Sequence, residues 1–184
     1  MSKRIDLIRH GQSTFNAAYA ETGCDPLHYD ARLTPLGHAQ VVAAGETLRA
    51  SDYELIVTSP LSRAIETTLG LFGAPAAPIL VEALHRERLE SSCDIGRPAA
   101  ALAQDFPSLA FDHLDDPWWH DGAETDALGH AIEPEHVFAA RIAGFRAWLA
   151  GRPEDRIAVI GHGTFFLRLT GVPLVNCGVL RWSP

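Results

Sequence analysis

Two short apolar segments of this chain each end in a histidine that is followed by glycine. Residues 5–8 lead into Arg9-His10-Gly11, and residues 156–160 lead into Gly161-His162-Gly163. A short continuous apolar run is typical of a strand in a parallel sheet that is covered on both faces. Ligands of such open sheets bind at the carboxyl ends of the strands. The cation, the imidazole and the flexible glycine of residues 9–11 therefore indicate an anion site that contains a nucleophile.

Strand and helix signals alternate along the rest of the chain. Further strands are predicted at residues 54–58, 79–81 and 179–182, the last at an edge of the sheet. Helices are predicted at 35–49 after the N-cap Thr34, from Pro60 to 72 after the N-cap Ser59, at 134–150, and from 163 to 171. Residues 17–33 lack a clean periodicity and are predicted to be a surface loop. The alternation predicts an α/β protein with a mostly parallel sheet.

The length of the chain is that of about one domain. Its 184 residues are predicted to form a single domain, 1–184, with its own hydrophobic core. The connection at 107–133 is long, irregular and rich in Asp, Pro and Gly. We expect it to be a lid or a specificity insert of that domain.

Charge and cysteine content limit the partners and the compartment. A net charge of −8 argues against a nucleic-acid or anionic-membrane partner. No apolar run approaches the length of a membrane span, and no apolar segment follows the basic pair Lys3-Arg4 as it would in a secretory signal. Cys24, Cys93 and Cys177 form neither a paired framework nor a metal-binding pair. These features favour a cytoplasmic protein.

Arg63 is a second candidate for the anion site. It lies at the start of the helix that follows the strand at 54–58. The amino-terminal end of a helix already favours an anion through its free backbone N–H groups. A lone arginine is more often a solvated surface residue, but this strand–cap–helix setting favours a place in the site.

Four motifs, in this order along the chain, resemble those of the histidine phosphatase superfamily, which has the phosphoglycerate-mutase-like fold. They are Arg9-His10-Gly11-Gln12-Ser13 with Asn16, the segment from Arg32 to Gln40, the segment from Ser59 to Thr67, and Gly161-His162-Gly163. The resemblance extends from residue 5 to about residue 170 and implies a three-layer αβα sandwich with helices on both faces of the sheet. It also implies a reaction without a metal ion or another cofactor, on a small phosphorylated substrate.

The resemblance implies a role for each motif residue. His10 would be the nucleophile that becomes phosphorylated, while Arg9, Arg63 and His162 would surround the phosphoryl oxygens. Asn16 and Gly163 would add further phosphate contacts. This agrees with the chemistry of phosphoryl transfer, which depends on positioning and on positive charge around the oxygens. We expect His10 to be neutral, with one ring nitrogen held by a carbonyl acceptor, and His162 to be charged.

A carboxyl group is also needed, to protonate the leaving oxygen and to activate water. The resemblance places it after the third strand, where Glu87 is the best match and Glu82 and Glu90 are rivals. Residues 89–96 depart here from the glycine-aromatic signature of the mutases. That departure weakens the assignment of Glu87 and favours a phosphatase over a mutase.

Three other functions stay open from the sequence. They are a phosphoglycerate-type phosphomutase, a non-catalytic phosphate-binding module, and a metal-dependent hydrolase that uses the acidic insert. The ligands of the last would be His113, Asp115, Asp116, His120 and Asp121. The substrate is not named by the sequence, and specificity is expected to lie in residues 107–133 and 17–31. The oligomeric state is undefined, with a dimer among the options.

Overall fold

Strands and helices alternate along the chain in the computed structural model, which describes residues 3–183. The two ends of the predicted domain, residues 1–2 and 184, lie outside the described part. The strands are β1 (Arg4–Arg9), β2 (Leu55–Thr58), β3 (Ile79–Val81), β4 (Arg156–Gly161) and β5 (Val179–Trp182). The helices are α1 (Thr14–Thr22), α2 (Pro35–Leu48), α3 (Ser62–Phe72), α4 (Ala99–Asp105), α5 (Glu135–Ala150) and α6 (Gly163–Thr170), with 3₁₀ turns at Ala83–His85 and Ser92–Asp94.

The strands form one sheet in the order β3-β2-β4-β1-β5. The first four are parallel to one another, and β5 pairs antiparallel with β1 at the edge. The predicted edge strand and mostly parallel sheet are thus confirmed. Because β1 and β4 are adjacent and parallel, their carboxyl ends emerge together.

Side chains that alternate along each strand pack against different helices, which gives the three layers. Leu7 and Val159 belong to one core, which contains the phenylalanines of α5 and α6. Ile8 and Ile160 belong to a second core with side chains of α2 and α3. Both faces of the sheet are therefore covered, as the apolar strand runs indicate. The fold is the expected αβα sandwich.

Helix α1 corrects the prediction that residues 17–33 are a loop. Ser13 accepts a hydrogen bond from the backbone N–H of Asn16, and the Asn16 side chain accepts one from the backbone N–H of Ser13. This capping box starts a helix that ends at Gly23, which has a left-handed backbone. Phe15 is the helix's one buried residue, so the sequence carries no apolar periodicity to reveal it.

Helix α3 begins later than predicted. Its N-cap is Leu61, and not Ser59 with Pro60 at the first helical position. The cap is supplied from far along the chain, because the Asp30 carboxylate accepts from both the backbone N–H (2.7 Å) and the hydroxyl (2.5 Å) of Ser62. Ser59 is left to contact His162. A tertiary contact has replaced the local cap, which a sequence pattern does not reveal.

Residues 107–133, the predicted insert, contact other parts of the chain through specific hydrogen bonds. Trp118 is buried and donates from Nε1 to the Arg97 carbonyl oxygen at 2.8 Å. The ring of His113 is hydrogen-bonded to the carbonyl oxygen of Val81. Across residues 3–183, no group of His, Cys, Asp and Glu side chains has the arrangement of a metal site. No helix in that range is long and apolar enough to cross a bilayer.

Candidate active site

The site is built where β1 and β4 end side by side. The sheet register pairs Arg9 with Gly161, so the next residues, His10 and His162, leave the two strands at the same level. Their ring centroids are 5.3 Å apart. Backbone pairing in the sheet therefore brings together two histidines that are far apart in the sequence.

His10 is held in one tautomer by its own loop. Its Nδ1 lies 2.7 Å from the carbonyl oxygen of Gly11. Because a carbonyl oxygen can only accept, Nδ1 carries the proton and Nε2 has the unprotonated lone pair. This is the carbonyl acceptor that the sequence predicts. Burial, with the nearby Arg63, lowers the pKa of His10 well below its usual value, so the imidazole is neutral as expected.

Arg63 is directed at His10 by two contacts on its far side. It is the second residue of α3 and is buried. One terminal nitrogen donates to the carbonyl oxygen of Cys93 at 2.6 Å, and the other to the Asp94 carboxylate at 2.8 Å. Its Nε lies 3.3 Å from Nε2 of His10. The guanidinium Nε–H thus donates to the Nε2 lone pair of His10.

Arg9 supplies a second guanidinium beside the same loop. It donates to the carbonyl oxygen of Leu174 at 2.7 Å, while its buried Nε has no partner among the described residues. Gly163 makes room for this side chain, since a Cβ there would lie 3.1 Å from the Arg9 Nε. Arg9 lines the cavity and retains an N–H group without a protein partner, which makes it a candidate contact for an anionic ligand.

His162 lies next to His10 but is not among the residues that line the cavity of the site. It is fully buried, and its Nε2 lies 2.8 Å from the Ser59 hydroxyl. The expectation of a charged His162 is wrong, because burial and the neighbouring Arg63 lower its pKa well below the usual value. Its Nδ1 has no hydrogen-bond partner among the described residues.

The three candidate carboxyl groups lie in different settings. Glu82 accepts from the backbone N–H of Leu84, and Glu90 forms an exposed ion pair with Arg88. Glu87 reaches the start of α6, where its two oxygens accept from the N–H groups of Thr164 and Phe165, each at 2.9 Å. Of the three, Glu87 is the one that is bound to the end of the helix following His162.

The Glu87 carboxyl has a pKa suited to proton transfer. Burial, together with the charge of Asp94, raises its pKa to about 7, although the backbone N–H donors and Arg63 favour its charged form. A group that titrates near neutral pH can both donate and accept a proton during a reaction.

Helix α5 fixes the segment that carries Glu87. Arg141 donates to the carbonyl oxygens of Leu84 (3.0 Å), Arg86 (2.6 Å) and Glu87 (3.3 Å). It is paired in turn with the Glu133 carboxylate, which is fully buried. Burial favours protonation of Glu133, but the hydrogen bonds from Arg141 outweigh it and lower the pKa of Glu133. This buried pair supports the backbone next to the site.

The side chains surround a cavity of about 340 Å³. Of the residues predicted from the sequence, the cavity is lined by Arg9, His10, Asn16, Arg63, Glu87 and Gly163. Its other walls come from Phe15 and from residues 88–94 and 164–174. Of these, Glu90 alone was selected from the sequence, as a rival of Glu87. The segments 17–31 and 107–133, which were expected to carry specificity, supply none of the lining residues. A role of 107–133 as a lid stays a prediction.

Asp94 and Asn176 are two residues at the site, among others, that the sequence did not reveal. Asp94 is held within a segment that departs from the family pattern, and Asn176 donates to the backbone carbonyl oxygen of His10 at 2.9 Å. Neither residue follows a strand or a cap signal, so no local pattern marks them. Both are identified by their tertiary contacts alone.

The comparison with known families decides the classification. Residues 5–174 match the histidine phosphatase superfamily (branch 1). The chain belongs to this superfamily. Among curated members, a glucosyl-3-phosphoglycerate phosphatase of Mycolicibacterium vanbaalenii is 28% identical over 193 residues, covering 97% of this chain and 79% of the relative.

The relatives of this superfamily member include proteins named as phosphatases and proteins named as mutases. A 2,3-bisphosphoglycerate-dependent phosphoglycerate mutase of Mesorhizobium japonicum is 42% identical over 153 residues, covering 80% of this chain and 66% of the mutase. Among solved structures, mycobacterial glucosyl-3-phosphoglycerate phosphatase has a TM-score of 0.64 at 23% identity, covering 99% of this chain and 91% of that one. The last likeness is one of fold.

Proposed function

We propose that this histidine phosphatase superfamily member is a phosphomonoesterase that hydrolyses a small phosphorylated substrate through a phosphohistidine on His10. The observation that carries the proposal is a neutral imidazole whose Nε2 lone pair lies beside the guanidinium of Arg63. A nucleophile next to fixed positive charge is what in-line phosphoryl transfer requires. Two arginines supply that charge, so the proposed reaction needs no metal ion.

In the first step His10 takes the phosphoryl group from the substrate. Nε2 forms a bond to phosphorus while the ester P–O bond breaks, and the leaving oxygen takes the proton of the Glu87 carboxyl. Arg9 and Arg63 bind the phosphoryl oxygens, for which the planar guanidinium is suited. His162, whose ring centroid lies 5.3 Å from that of His10, is proposed to act as the neighbour of the nucleophile and not as a wall of the cavity.

Asn16 and Gly163 complete the proposed phosphate contacts. Both line the cavity, and the Asn16 side-chain oxygen already accepts from the backbone N–H of Ser13. Its amide nitrogen is therefore the part that remains to donate to a phosphoryl oxygen.

In the second step water releases the phosphate. The Glu87 carboxylate takes a proton from a water molecule, whose oxygen bonds to phosphorus as the bond to Nε2 breaks. His10 returns to its neutral form, Glu87 is protonated again, and inorganic phosphate leaves. The same carboxyl group thus acts as acid and then as base, as its pKa near neutral pH allows.

The shape of the cavity supports hydrolysis of a small metabolite. Its volume of about 340 Å³ lies at the lower end of the range of small-molecule sites. Its rim includes Leu167, which is 41% exposed, and the exposed residue Glu90. Water can therefore enter beside a bound phosphoryl group. The phosphatase names among the relatives agree with this proposal.

A panel of phosphorylated metabolites and phosphopeptides, assayed for phosphate release, tests the proposal. We expect release by the wild type, loss of more than about a thousandfold in His10→Ala, and a labelled phosphohistidine after quenching in denaturant. His38→Ala, which replaces an exposed histidine, is the matched control. Equal, negligible turnover by the wild type and His10→Ala on the whole panel would instead favour a non-catalytic phosphate-binding module. Loss of wild-type activity in EDTA, restored by a divalent ion, would contradict metal-independent hydrolysis.

A phosphoglycerate-type mutase is the second candidate, because the relative with 42% identity is named as one. The two activities differ in the fate of the phosphoryl group on His10. Tests with 3-phosphoglycerate and a bisphosphorylated primer separate them. Isomerisation faster than phosphate release would overturn the phosphatase assignment.

A further inference from the structure

Asp94 is a buried carboxylate in the wall of a cavity that is also lined by the proposed phosphate-binding residues Arg9 and Arg63. Its exposed fraction is 6%, and it ends the 3₁₀ turn Ser92–Asp94. A negative group in this place opposes phosphate binding, and the two steps proposed above do not use it. Its position therefore calls for a separate explanation.

The contacts of Asp94 determine how Arg63 is oriented. One Asp94 oxygen accepts from a terminal nitrogen of Arg63 at 2.8 Å, and the carbonyl oxygen of Cys93 accepts from the other at 2.6 Å. Two adjacent residues thus hold both terminal nitrogens of the guanidinium. Its remaining nitrogen, Nε, is directed at Nε2 of His10. A planar group that is held at two corners has little freedom to rotate.

The charge of Asp94 also acts on Glu87, since both carboxyl groups line the same cavity with Arg63. Two carboxyl groups in one partly buried site do not both ionise readily. Burial raises the pKa of Asp94, but its ion pair with Arg63 favours the charged form of Asp94. Glu87 has no ion pair among the described residues, so the contacts favour a charged Asp94 and a retained proton on Glu87.

We infer that Asp94 is a positioning residue with two effects: it orients Arg63 towards the phosphoryl group, and its charge maintains Glu87 as a proton donor. The same charge weakens the binding of phosphate, which favours release of the product. This inference rests on the proposed phosphatase function for its effect on Glu87. Its effect on phosphate affinity can be measured without turnover.

Titration calorimetry with inorganic phosphate at pH 6 tests the effect on affinity. Asp94→Asn retains an oxygen that can accept from Arg63 but removes the charge. We expect phosphate to bind about tenfold more tightly than to the wild type, because a nearby negative charge has been removed. A residue that only supports the structure would show the opposite, since a loosened Arg63 would bind phosphate less well. Equal or weaker binding would therefore overturn the inference.

The pH profile of kcat/KM tests the effect on Glu87. Without the charge of Asp94 the Glu87 carboxyl should lose its proton more easily, and the basic limb of the profile should move down by about one pH unit. An unmoved basic limb in a folded, active variant would contradict the proposed role. If His10→Ala were as active as the wild type, the phosphatase proposal would fail. The phosphate titration would still test the effect of Asp94 on phosphate affinity, because it does not depend on turnover.

Two further variants make the test independent of one substitution. Glu90→Gln removes another negative charge from the same cavity without touching Arg63, and its effect on phosphate affinity should be smaller because Glu90 is solvent-exposed. If Glu90→Gln raised phosphate affinity as much as Asp94→Asn, removal of any negative charge from the cavity would explain the result. That outcome would overturn the inference. Asp94→Gln, which is also uncharged and also has an amide oxygen that can accept from Arg63, replaces Asp94→Asn if the latter does not fold, with tighter phosphate binding again required.

Discussion

The carboxyl group of Glu87 accepts a 2.9 Å hydrogen bond from the backbone N–H of Thr164, at the start of the helix that follows His162. The helix end favours a charged carboxylate, whereas burial and Asp94 favour a protonated one. The second influence is the larger, and the pKa rises to about 7. The proposed acid of the reaction is therefore poised by opposing effects and is sensitive to changes in either.

Replacing Glu87 should change both the pH profile and the dependence on the leaving group. In the wild type, kcat/KM is expected to fall as the pH rises through about 7, because the donor form of Glu87 is lost. Glu87→Gln should remove that limb and lower kcat/KM for alkyl phosphates by about 10²- to 10⁴-fold. Aryl phosphates, whose leaving group needs no proton, should lose much less. Profiles from pH 5 to 9 with both ester types measure this; equal losses would contradict the role of Glu87.

Acid should destabilise the protein through its buried histidines. His85 is fully buried against Phe145, and burial lowers its pKa to about 3. The unfolded chain thus binds a proton on this residue below pH 6.5 that the folded chain does not bind. The contribution of His85 to the free energy of unfolding is complete above pH 6.5. It is lost as the pH falls below 6.5, by about 1.4 kcal/mol per pH unit.

The variant His85→Gln isolates that contribution. The amide can still donate to the carbonyl oxygen of Ile160, which His85 contacts at 3.0 Å. The loss of stability between pH 6.5 and pH 5 should be smaller than in the wild type by about 2 kcal/mol. Urea unfolding at the two pH values provides the measurement, with the exposed His38→Gln as control. The same pH dependence in His85→Gln and the wild type would refute the assignment.

Breaking the pair of Arg141 and Glu133 should destabilise the protein strongly. Arg141→Met leaves the buried Glu133 carboxylate without its main partner, at a cost of about 3–5 kcal/mol. Adding Glu133→Gln removes the unpaired charge and should restore part of that loss. Unfolding curves of the two single variants and the double variant give the coupling energy. Additive effects would show that the pair is not coupled.

A methyl group at residue 163 should disturb Arg9. In Gly163→Ala the new Cβ would lie 3.1 Å from Nε and 3.2 Å from Cζ of Arg9, so the guanidinium must shift by a few tenths of an ångström. We expect kcat/KM to fall by about tenfold, because a small misplacement of a phosphate-binding group is costly. Gly144→Ala is the matched control: its nearest neighbour would be the side chain of Leu84 at 3.9 Å. Equal activities of Gly163→Ala and the wild type would argue against a role for Arg9.

The sheet and most helices could be predicted because their signals are local. Apolar strand runs such as 156–160 and caps such as Thr34, which accepts from the backbone N–H of Gly37, act over a few residues. The start of α3 could not be predicted, since Asp30 caps it from outside the local sequence. Helix α1 was missed because it depends on its cap and buries one residue.

The site also contains residues that local sequence signals predict and residues that only tertiary packing determines. His10 and His162 follow directly from strand ends, and Arg63 from a helix start, so their positions could be inferred from the order of elements. The cavity walls at 88–94 and 164–174 depend on how loops pack, and Asp94 is revealed by its contact with Arg63. The neutral state of His162 depends on burial among neighbours that are distant in sequence.

The register that pairs Arg9 with Gly161 determines which insertions and deletions the sequence can tolerate. The separation of the two imidazoles is set by the backbone ladder of the sheet, and connecting loops do not determine it. Insertions between the motifs can accumulate while the two rings stay together. Deleting a single residue within β1 or β4, by contrast, would advance one ring by a full strand step of about 3.3 Å and turn its side chain to the other face. Such a protein could retain a sheet and lose the alignment of its two histidines.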